Sequence, residues 1–347
     1  MDRDNYYMEQ AFELAELGLG QTSPNPPVGC VIVKNDAVIS TARTQSGGRP
    51  HAEHIAIDNA KEDLTRATIY ITLEPCCVTS YAKIPCVEKV IKVGVSRVVI
   101  SVIDPNPAIN GRSVKILQEA GIDVKIGILK EKGEAVIRGF KKRILTNTSL
   151  VTLKLAISLD GKIALKNGKS KWITNEKQRL LAHELRAKND AILTGIGTVM
   201  ADDPLLTCRL PRVNHNPIRI ILDTDFRISK QSQIIQTSAN IRTIIFTTKD
   251  MKNPYKDIEI VKVKREKDGV CLNEVLRKTA DLGINNLLVE AGQRVNTSFI
   301  KEKLVDQVVV FQSNKFIGGD GLDAIGDLNY SELAECLKLD TTIVGEK

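Results

Sequence analysis

Apolar residues switch between helical and strand spacing along the first part of the chain. Spacing of three and four residues predicts helices over residues 5–19, 52–60, 86–93 and 131–145. Short apolar runs predict about five strands, over residues 28–33, 38–40, 67–73, 97–103 and 123–126. Strands separated by helices are typical of an α/β domain.

The polar segment 146–149 interrupts this pattern, and we place a domain boundary there. Beyond it, strands are predicted over residues 150–157, 190–194, 218–222, 243–247, 258–263, 286–290 and 305–311. Helices are predicted over residues 176–188, 272–282 and 296–303. Thr174 is the expected N-cap of the first of these, with Lys177 in the capping-box position. The prediction is therefore two α/β domains, residues 1–146 and 147–347.

The composition agrees with two folded domains. A length of 347 residues exceeds what one core usually supports, and 42% hydrophobic with 26% charged residues excludes disorder and fibrous classes. No apolar stretch approaches the roughly 20 residues that span a bilayer. Acidic residues stand near the N-terminus, where a signal peptide carries bases. We therefore expect a cytoplasmic protein without a membrane partner.

The charge balance is mildly basic. The 49 Lys and Arg against 42 Asp and Glu give a formal net charge of +7, and the basic residues are scattered. A solvated basic surface is the simpler interpretation, and attraction for phosphorylated small molecules or nucleic acid is the alternative. Aromatic residues make up only 4% of the chain, which argues against a stacking platform for single strands. We expect no nucleic-acid partner.

The cysteines point to a metal site. The chain has seven, an odd number that does not suit a disulfide framework in a large chain. Cys76, Cys77 and Cys86 lie close together in sequence, and His51 opens a predicted helix before them. One imidazole and two thiolates suit zinc, with a fourth position left for a water whose pKa falls towards about 7.

The order of these residues points to deamination. The pattern H-x-E…P-C…C, formed by His51, Glu53, Pro75-Cys76 and Cys86, is that of the zinc nucleobase deaminases. Glu53 is badly placed for a fourth ligand and well placed to relay protons from the water to a leaving amine. Cys77 adjoins Cys76 and should point away, so Cys76 and Cys86 are the predicted ligands, with Cys77 as the alternative.

The second half lacks a dinucleotide-binding fingerprint. No G-x-G-x-x-G follows a strand there, and Gly195-Ile196-Gly197-Thr198 is only a fragment of one. Polar clusters instead follow the predicted strands and helices, at residues 154–162, 170–174, 185–187, 198–207 and 289–292. Each cluster taken alone is equally well explained by turn chemistry.

Taken together, these motifs resemble the bifunctional riboflavin-biosynthesis deaminase/reductase family. The first half of the resemblance rests on residues 24–29 (PNPPVG), 51–53 (HAE), 73–76 (LEPC), 86 (C) and 104–107 (DPNP). The polar clusters carry the second half in the family's order. The resemblance implies a cytidine-deaminase-like three-layer domain followed by a dihydrofolate-reductase-like α/β domain. Members commonly form oligomers, so we expect a homo-oligomer.

The resemblance also implies the reactions. The first is zinc-dependent deamination of a phosphorylated diamino-hydroxy-pyrimidine, a phosphoribosylaminopyrimidine. The second is NADPH-dependent reduction of its ribosyl group to ribityl. In the deaminase half, Asn25 would contact the substrate, Glu53 would move the proton, and zinc would be held by His51, Cys76 and Cys86.

The resemblance assigns further residues in the reductase half. The nicotinamide cofactor would be contacted by Ala156, Trp172, Thr198, Asp202 and Thr224. Its pyrophosphate would lie at a helix start formed by Gly292, Gln293, Arg294, Val295, Asn296, Thr297 and Ser298. The substrate would be held by Ser170, Arg186, Leu206, Arg209 and Glu290, the arginines suiting its phosphate. Lys154 and Asp202 are candidates for proton handling.

The sequence also departs from the family. Nine residues, 77–85, separate the two ligand cysteines, where the family usually has eight. The family's segment includes a His and a Gly-Lys/Arg-Thr run; here the His and the Gly are missing, and only Lys83 could replace the basic residue. Ala42-Arg43-Thr44 replaces a Gly-Tyr-His, and the chain ends at residues 344–347 where the family usually adds a strand. These changes favour an alternative: a reductase whose deaminase half is silent or acts on another aminated ring.

Overall fold

The structure is a computed structural model that describes residues 2–78 and 84–340. The helices of the first part are α1 (Arg3–Glu16), α2 (Ala52–Asn59), α3 (Cys86–Lys92), α4 (Arg112–Glu119), α5 (Lys130–Val136) and α6 (Arg138–Thr146). Its strands are β1 (Gly29–Lys34), β2 (Ala37–Arg43), β3 (Thr68–Leu73), β4 (Arg97–Val102) and β5 (Asp123–Ile126).

The second part follows directly. Its helices are α7 (Glu176–Ala187), α8 (Ile196–Asp202), α9 (Gln233–Gln236), α10 (Leu272–Asp281) and α11 (Gln293–Lys301). Its longer strands are β6 (Leu150–Ile157), β8 (Ala191–Gly195), β9 (Ile218–Leu222), β10 (Thr243–Thr247), β11 (Glu259–Lys262), β14 (Asn286–Val289) and β15 (Gln307–Gln312). Its short strands are β7 (Lys162–Ala164), β12 (Arg265–Glu266), β13 (Gly269–Val270) and β16 (Leu322–Asp323).

The first sheet lies between two layers of helices. Its strand order is β2-β1-β3-β4-β5, with β1 antiparallel to both neighbours and β3, β4 and β5 parallel. Alternate residues of a strand face opposite sides, so Ile32 packs towards α2, α3 and α4 while Val31 packs towards Phe12 of α1. This is the three-layer arrangement that was predicted.

The second sheet is parallel throughout. Its order is β11-β10-β9-β8-β14-β6-β15. Helices α10 and α11 cover one face, where Leu276 and Phe299 meet Leu193; α8 and α9 cover the other, where Val199 meets Ile192. Burial on both faces explains why these strands are continuous apolar runs. The carboxyl ends of the parallel strands meet at one edge, which is where ligands bind in such sheets.

Two local predictions are wrong. The helix predicted over 131–145 is two helices, α5 and α6, separated at Ile137. The two halves pack against different sheets: Gly133 of α5 lies against Ser101 and Val102 of the first, and α6 contacts β6 of the second.

The second error is the cap of α7. Asn175, not Thr174, is the N-cap, and it forms a capping box with Gln178 rather than Lys177. Helices α4, α8 and α9 and the four short strands are further elements without a predicted counterpart. Lys83 and the chain's last residues, on which two departures from the family rest, lie outside the described residues. Within the described ranges, no helix has the length and apolar character needed to cross a membrane.

Candidate functional site

Three element ends converge on the predicted metal ligands. His51 is the N-cap residue of α2, Cys86 is the first residue of α3, and Cys76 follows β3. His51 Nδ1 lies 3.3 Å from Cys86 Sγ and 3.6 Å from Cys76 Sγ, and the two sulfurs are 3.4 Å apart. Ligand atoms of all three residues lie within 4.8 Å of one another. One imidazole and two thiols in this arrangement fit zinc with one position left open.

The surroundings of these ligands favour proton transfer. The hydrogen bond between the two sulfurs lowers the pKa of the Cys76 thiol and raises that of the Cys86 thiol, so Cys76 is the more readily ionised of the two ligands. Glu53 is 3% exposed, and its burial raises the pKa of its carboxyl. Cys77 instead places its sulfur 3.9 Å from Ala108 O, outside the ligand group.

A small cavity of about 240 Å³ opens beside the ligands. Asn25 lines it, and its Nδ2 lies 3.3 Å from His51 Nε2 and donates to Gly48 O at 2.8 Å. Thr44, which replaces the family's usual histidine, also lines the cavity and accepts from Val28 N at 3.2 Å through its hydroxyl. Arg143 of α6 lines the cavity as well.

Glu74 is a site residue for which no role was predicted. Its buried carboxylate accepts from Asp104 N at 3.1 Å, Gly111 N at 2.8 Å and Ser113 N at 3.0 Å. It therefore fixes the loop that brings Asp104 to the cavity, where burial raises the pKa of the Asp104 carboxyl to about 7. The LEPC motif contained Glu74, but only the folded chain shows what it holds.

A larger cavity, of about 1160 Å³, lies at the carboxyl ends of the strands in the second sheet. Most residues predicted for the reductase half line it: Lys154, Ala156, Ser170, Trp172, Arg186, Thr198, Asp202, Arg209, Thr224, Glu290, Gly292, Gln293, Arg294, Val295, Asn296 and Ser298. Leu206 and Thr297 do not. The Leu206 side chain is buried in the core, and the Thr297 hydroxyl donates to Gln293 O and accepts from Gly326 N.

A buried ion cluster lies on the wall of this cavity. Glu290 Oε1 accepts from Arg186 Nε at 2.7 Å, and Glu290 Oε2 accepts from Arg186 Nη2 at 2.8 Å and Lys154 Nζ at 3.2 Å. Burial opposes ionisation of Glu290, but the charges of Lys154 and Arg186 outweigh it and hold the pKa of the carboxyl well below its usual value. The Glu290 carboxylate is therefore ionised at neutral pH, and its three hydrogen bonds fix it in position.

His183 also lines the larger cavity and was not predicted. Its Nδ1 accepts from Arg209 N at 3.4 Å, which requires the neutral ring. Burial and the neighbouring Arg186 and Arg209 lower the pKa of His183 to about 4. Helix α11 begins on the same wall, with Gly292 as its N-cap residue, so its free N–H groups are available to an anion there.

Comparison with known proteins identifies both domains. Residues 1–102 match the family described as the cytidine and deoxycytidylate deaminase zinc-binding region, and residues 149–344 match the RibD C-terminal domain. The riboflavin biosynthesis protein RibD of Aquifex aeolicus is 38% identical over 97% of this chain and 93% of its own length. The chain belongs to the RibD family. RibD of Escherichia coli is 37% identical over 92% of this chain and 89% of its own length.

Solved structures agree with this assignment. A deaminase/reductase of Thermotoga maritima superimposes with a TM-score of 0.87 at 36% identity, covering 98% of this chain and 95% of its own. RibD of Acinetobacter baumannii gives 0.85 at 34% identity, covering 97% and 95%. The predicted fold class is confirmed. This member of the RibD family is a bifunctional riboflavin-biosynthesis enzyme with a deaminase domain of the zinc-binding type and a reductase domain of the NADPH-using type. The reductase-only alternative is not favoured.

Proposed function

We propose that the chain deaminates a diaminohydroxyphosphoribosylaminopyrimidine at its first site and reduces the ribosyl group of the product to ribityl at its second. The Thermotoga relative carries the names of these two activities. The observation that carries the proposal is that one chain combines a His-Cys-Cys group beside a buried carboxylic acid with a larger cavity built around a fixed ion cluster. The division is residues 1–146 for deamination and 147–347 for reduction.

At the first site, His51, Cys76 and Cys86 would hold zinc, which supplies an activated water when bound. Glu53 would accept a proton from that water and deliver it to the leaving amine. Its place on the wall of the cavity beside His51 and Cys76 supports this role. Asn25 would orient the pyrimidine, and Glu74 would keep the Asp104 loop in place.

At the second site, bound NADPH would supply the hydride. Its nicotinamide end would contact Ala156, Trp172, Thr198, Asp202 and Thr224, and its pyrophosphate would lie at residues 292–298, where α11 begins. The substrate would be held by Ser170, Arg186, Leu206, Arg209 and Glu290, with Leu206 acting through its backbone. Lys154 and Asp202 would handle the proton at the sugar oxygen, and the enclosing residues would exclude water.

Two variants test the proposal by separating the reactions. Glu53→Gln keeps the size of the side chain and removes its proton transfer, so ammonia release should be lost while the deaminated compound is still reduced. Lys154→Met should abolish reduction of the deaminated compound while ammonia release continues. Ammonia release and NADPH oxidation are measured on the zinc-loaded full chain, and light scattering checks the predicted homo-oligomer. Loss of both reactions in either variant, or their absence in the wild type, would refute the proposal.

A further inference from the structure

The turn that carries Asn25 packs against the second domain. Ser23 donates its hydroxyl hydrogen to Gly283 O, at the turn before β14. Gly283 has φ +85°, and a Cβ there would lie 2.8 Å from Pro24 Cβ. Gly20 lies still closer to the end of α7, because a Cβ at Gly20 would be 2.2 Å from Ala187 O. The wall of the deaminase cavity therefore rests on the other domain's backbone.

Arg143 connects this contact to the cavity. Its Nη2 donates to Pro24 O at 2.7 Å, and its Nε donates to Asn285 Oδ1 at 2.6 Å. Asn285 Nδ2 lies 3.3 Å from the same Pro24 oxygen and closes the triangle. Arg143 and Pro24 both line the deaminase cavity. A residue of the reductase domain thus fixes the guanidinium and the carbonyl together.

Asn285 is itself held rigidly. Its N–H donates to the buried Asp190 carboxylate at 2.9 Å, and its carbonyl accepts from Leu150 N at 2.8 Å. On the other side of the triangle, Pro24 immediately precedes Asn25, whose Nδ2 lies 3.3 Å from His51 Nε2. The contacts run from a buried strand end of the second sheet to a ligand of the first site.

We infer that Arg143 and Asn285 are positioning residues for deamination. Through them the reductase domain holds Asn25 at its position beside His51. The inference rests on the proposed deaminase function. The competing explanation is that Arg143 and Asn285 only hold the two domains together. Lys142 provides the control that distinguishes these two explanations. Lys142 lies next to Arg143 on α6 and pairs across the same junction with Asp306 at 2.5 Å, and it does not line the cavity.

Arg143→Met and Asn285→Ala should each lower kcat/KM for deamination by about tenfold, as expected for one hydrogen bond to a charged group. The double variant should be no worse than either single variant, because the two residues act as one unit. Reduction of the deaminated compound should be unchanged in all of them and reports that the chain is folded. Lys142→Met should leave both reactions unchanged.

Hydrogen exchange gives a second readout that does not need activity. Peptides covering residues 20–28 should exchange faster in Arg143→Met and Asn285→Ala than in the wild type and in Lys142→Met. Normal deamination by both variants, additive losses in the double variant, or an equal effect of Lys142→Met would overturn the inference. If the wild type itself releases no ammonia, the proposed function fails and the catalytic part of the inference fails with it, and the exchange of residues 20–28 then decides only whether Arg143 and Asn285 hold the turn that carries Asn25.

Discussion

Arg186 and Glu290 form a two-pronged ion pair inside the reductase cavity, with nitrogen–oxygen distances of 2.7 and 2.8 Å. Both side chains are largely buried, at 15% and 9% exposure, and Lys154 adds a second positive charge at 3.2 Å. Such a cluster contributes orientation more than stability, because desolvation offsets much of the attraction between buried charges. It gives the cavity a rigid polar wall on which a substrate can be aligned.

Glu290→Gln should lower the free energy of unfolding by about 3 kcal/mol, because it leaves Arg186 and Lys154 buried without their shared anion. Reduction should be lost and deamination kept. The comparison is Glu259→Gln, which breaks an exposed pair with Arg242 of the same two-pronged geometry and should cost at most about 1 kcal/mol. Chemical denaturation measures both variants, and equal costs would contradict the assigned burial.

Cys86→Ser should remove bound zinc and deamination together, since it replaces one of the three converging ligand residues. Cys77→Ser is the matched control, because that sulfur lies outside the ligand group next to Ala108 O. Metal analysis of the two purified variants checks the prediction. Zinc lost from Cys77→Ser and retained in Cys86→Ser would reverse the ligand assignment.

Asp4 should make the first domain sensitive to acid. Hydrogen bonds from Arg97, with others from Lys125 and Tyr70, hold the pKa of this buried carboxyl well below its ordinary 3.8, against the effect of burial. The pKa of Asp4 is lower in the folded than in the unfolded chain, so its ionised form stabilises the fold at any pH above the unfolded-state pKa. This stabilisation is lost as the pH falls through the folded-state pKa. Asp4→Asn should therefore cost about 2 kcal/mol at neutral pH.

Urea denaturation of Asp4→Asn and wild type, at neutral pH and near pH 3, measures this difference. The gap between the two proteins should narrow in acid. Asp36→Asn, which breaks an exposed pair with Arg3, is the control and should change little at either pH. A difference in unfolding free energy that widens in acid would show that folding raises the pKa of Asp4 instead of lowering it.

Gly20 and Gly47 separate backbone strain from steric contact. Both have positive φ, +70° and +76°. A Cβ at Gly20 would lie 2.2 Å from Ala187 O, whereas a Cβ at Gly47 would have no heavy atom of the described residues within 4 Å. Gly47→Ala should cost about 1 kcal/mol from strain alone. Gly20→Ala should cost clearly more and loosen the junction between the domains. Thermal denaturation of the two variants measures the difference, and equal costs would contradict the close approach.

Much of the metal site was predictable because its residues stand at element ends that the sequence itself shows. His51 precedes a helix, Cys86 begins one and Cys76 follows a strand by three residues, so spacing and residue type were sufficient to group them. Glu74 and Arg143 were not predictable in the same way. Glu74 acts on a loop some thirty residues later, and nothing in the sequence around Arg143 shows that the fold places Pro24 and Asn285 beside it.

Helix patterns had a similar limit. The apolar spacing over residues 131–145 continues across Ile137, so it cannot reveal that the two halves pack on different sheets. The cap of α7 was misplaced by one residue because Thr174 and Asn175 are both good caps, and only Asn175 has a glutamine three residues on. Helix α4, by contrast, carries a signal in the sequence, because Val114 and Leu117 stand at helical spacing.

We expect both domains of this chain to be active, although residues 42–44 and 77–85 depart from the family. The most direct test is ammonia release from the diaminohydroxyphosphoribosylaminopyrimidine by the zinc-loaded full chain with NADPH absent. We predict one ammonia per substrate molecule, and none from Glu53→Gln. No ammonia from the wild type, together with normal NADPH-dependent reduction of the deaminated compound, would contradict the account and leave the chain a reductase alone.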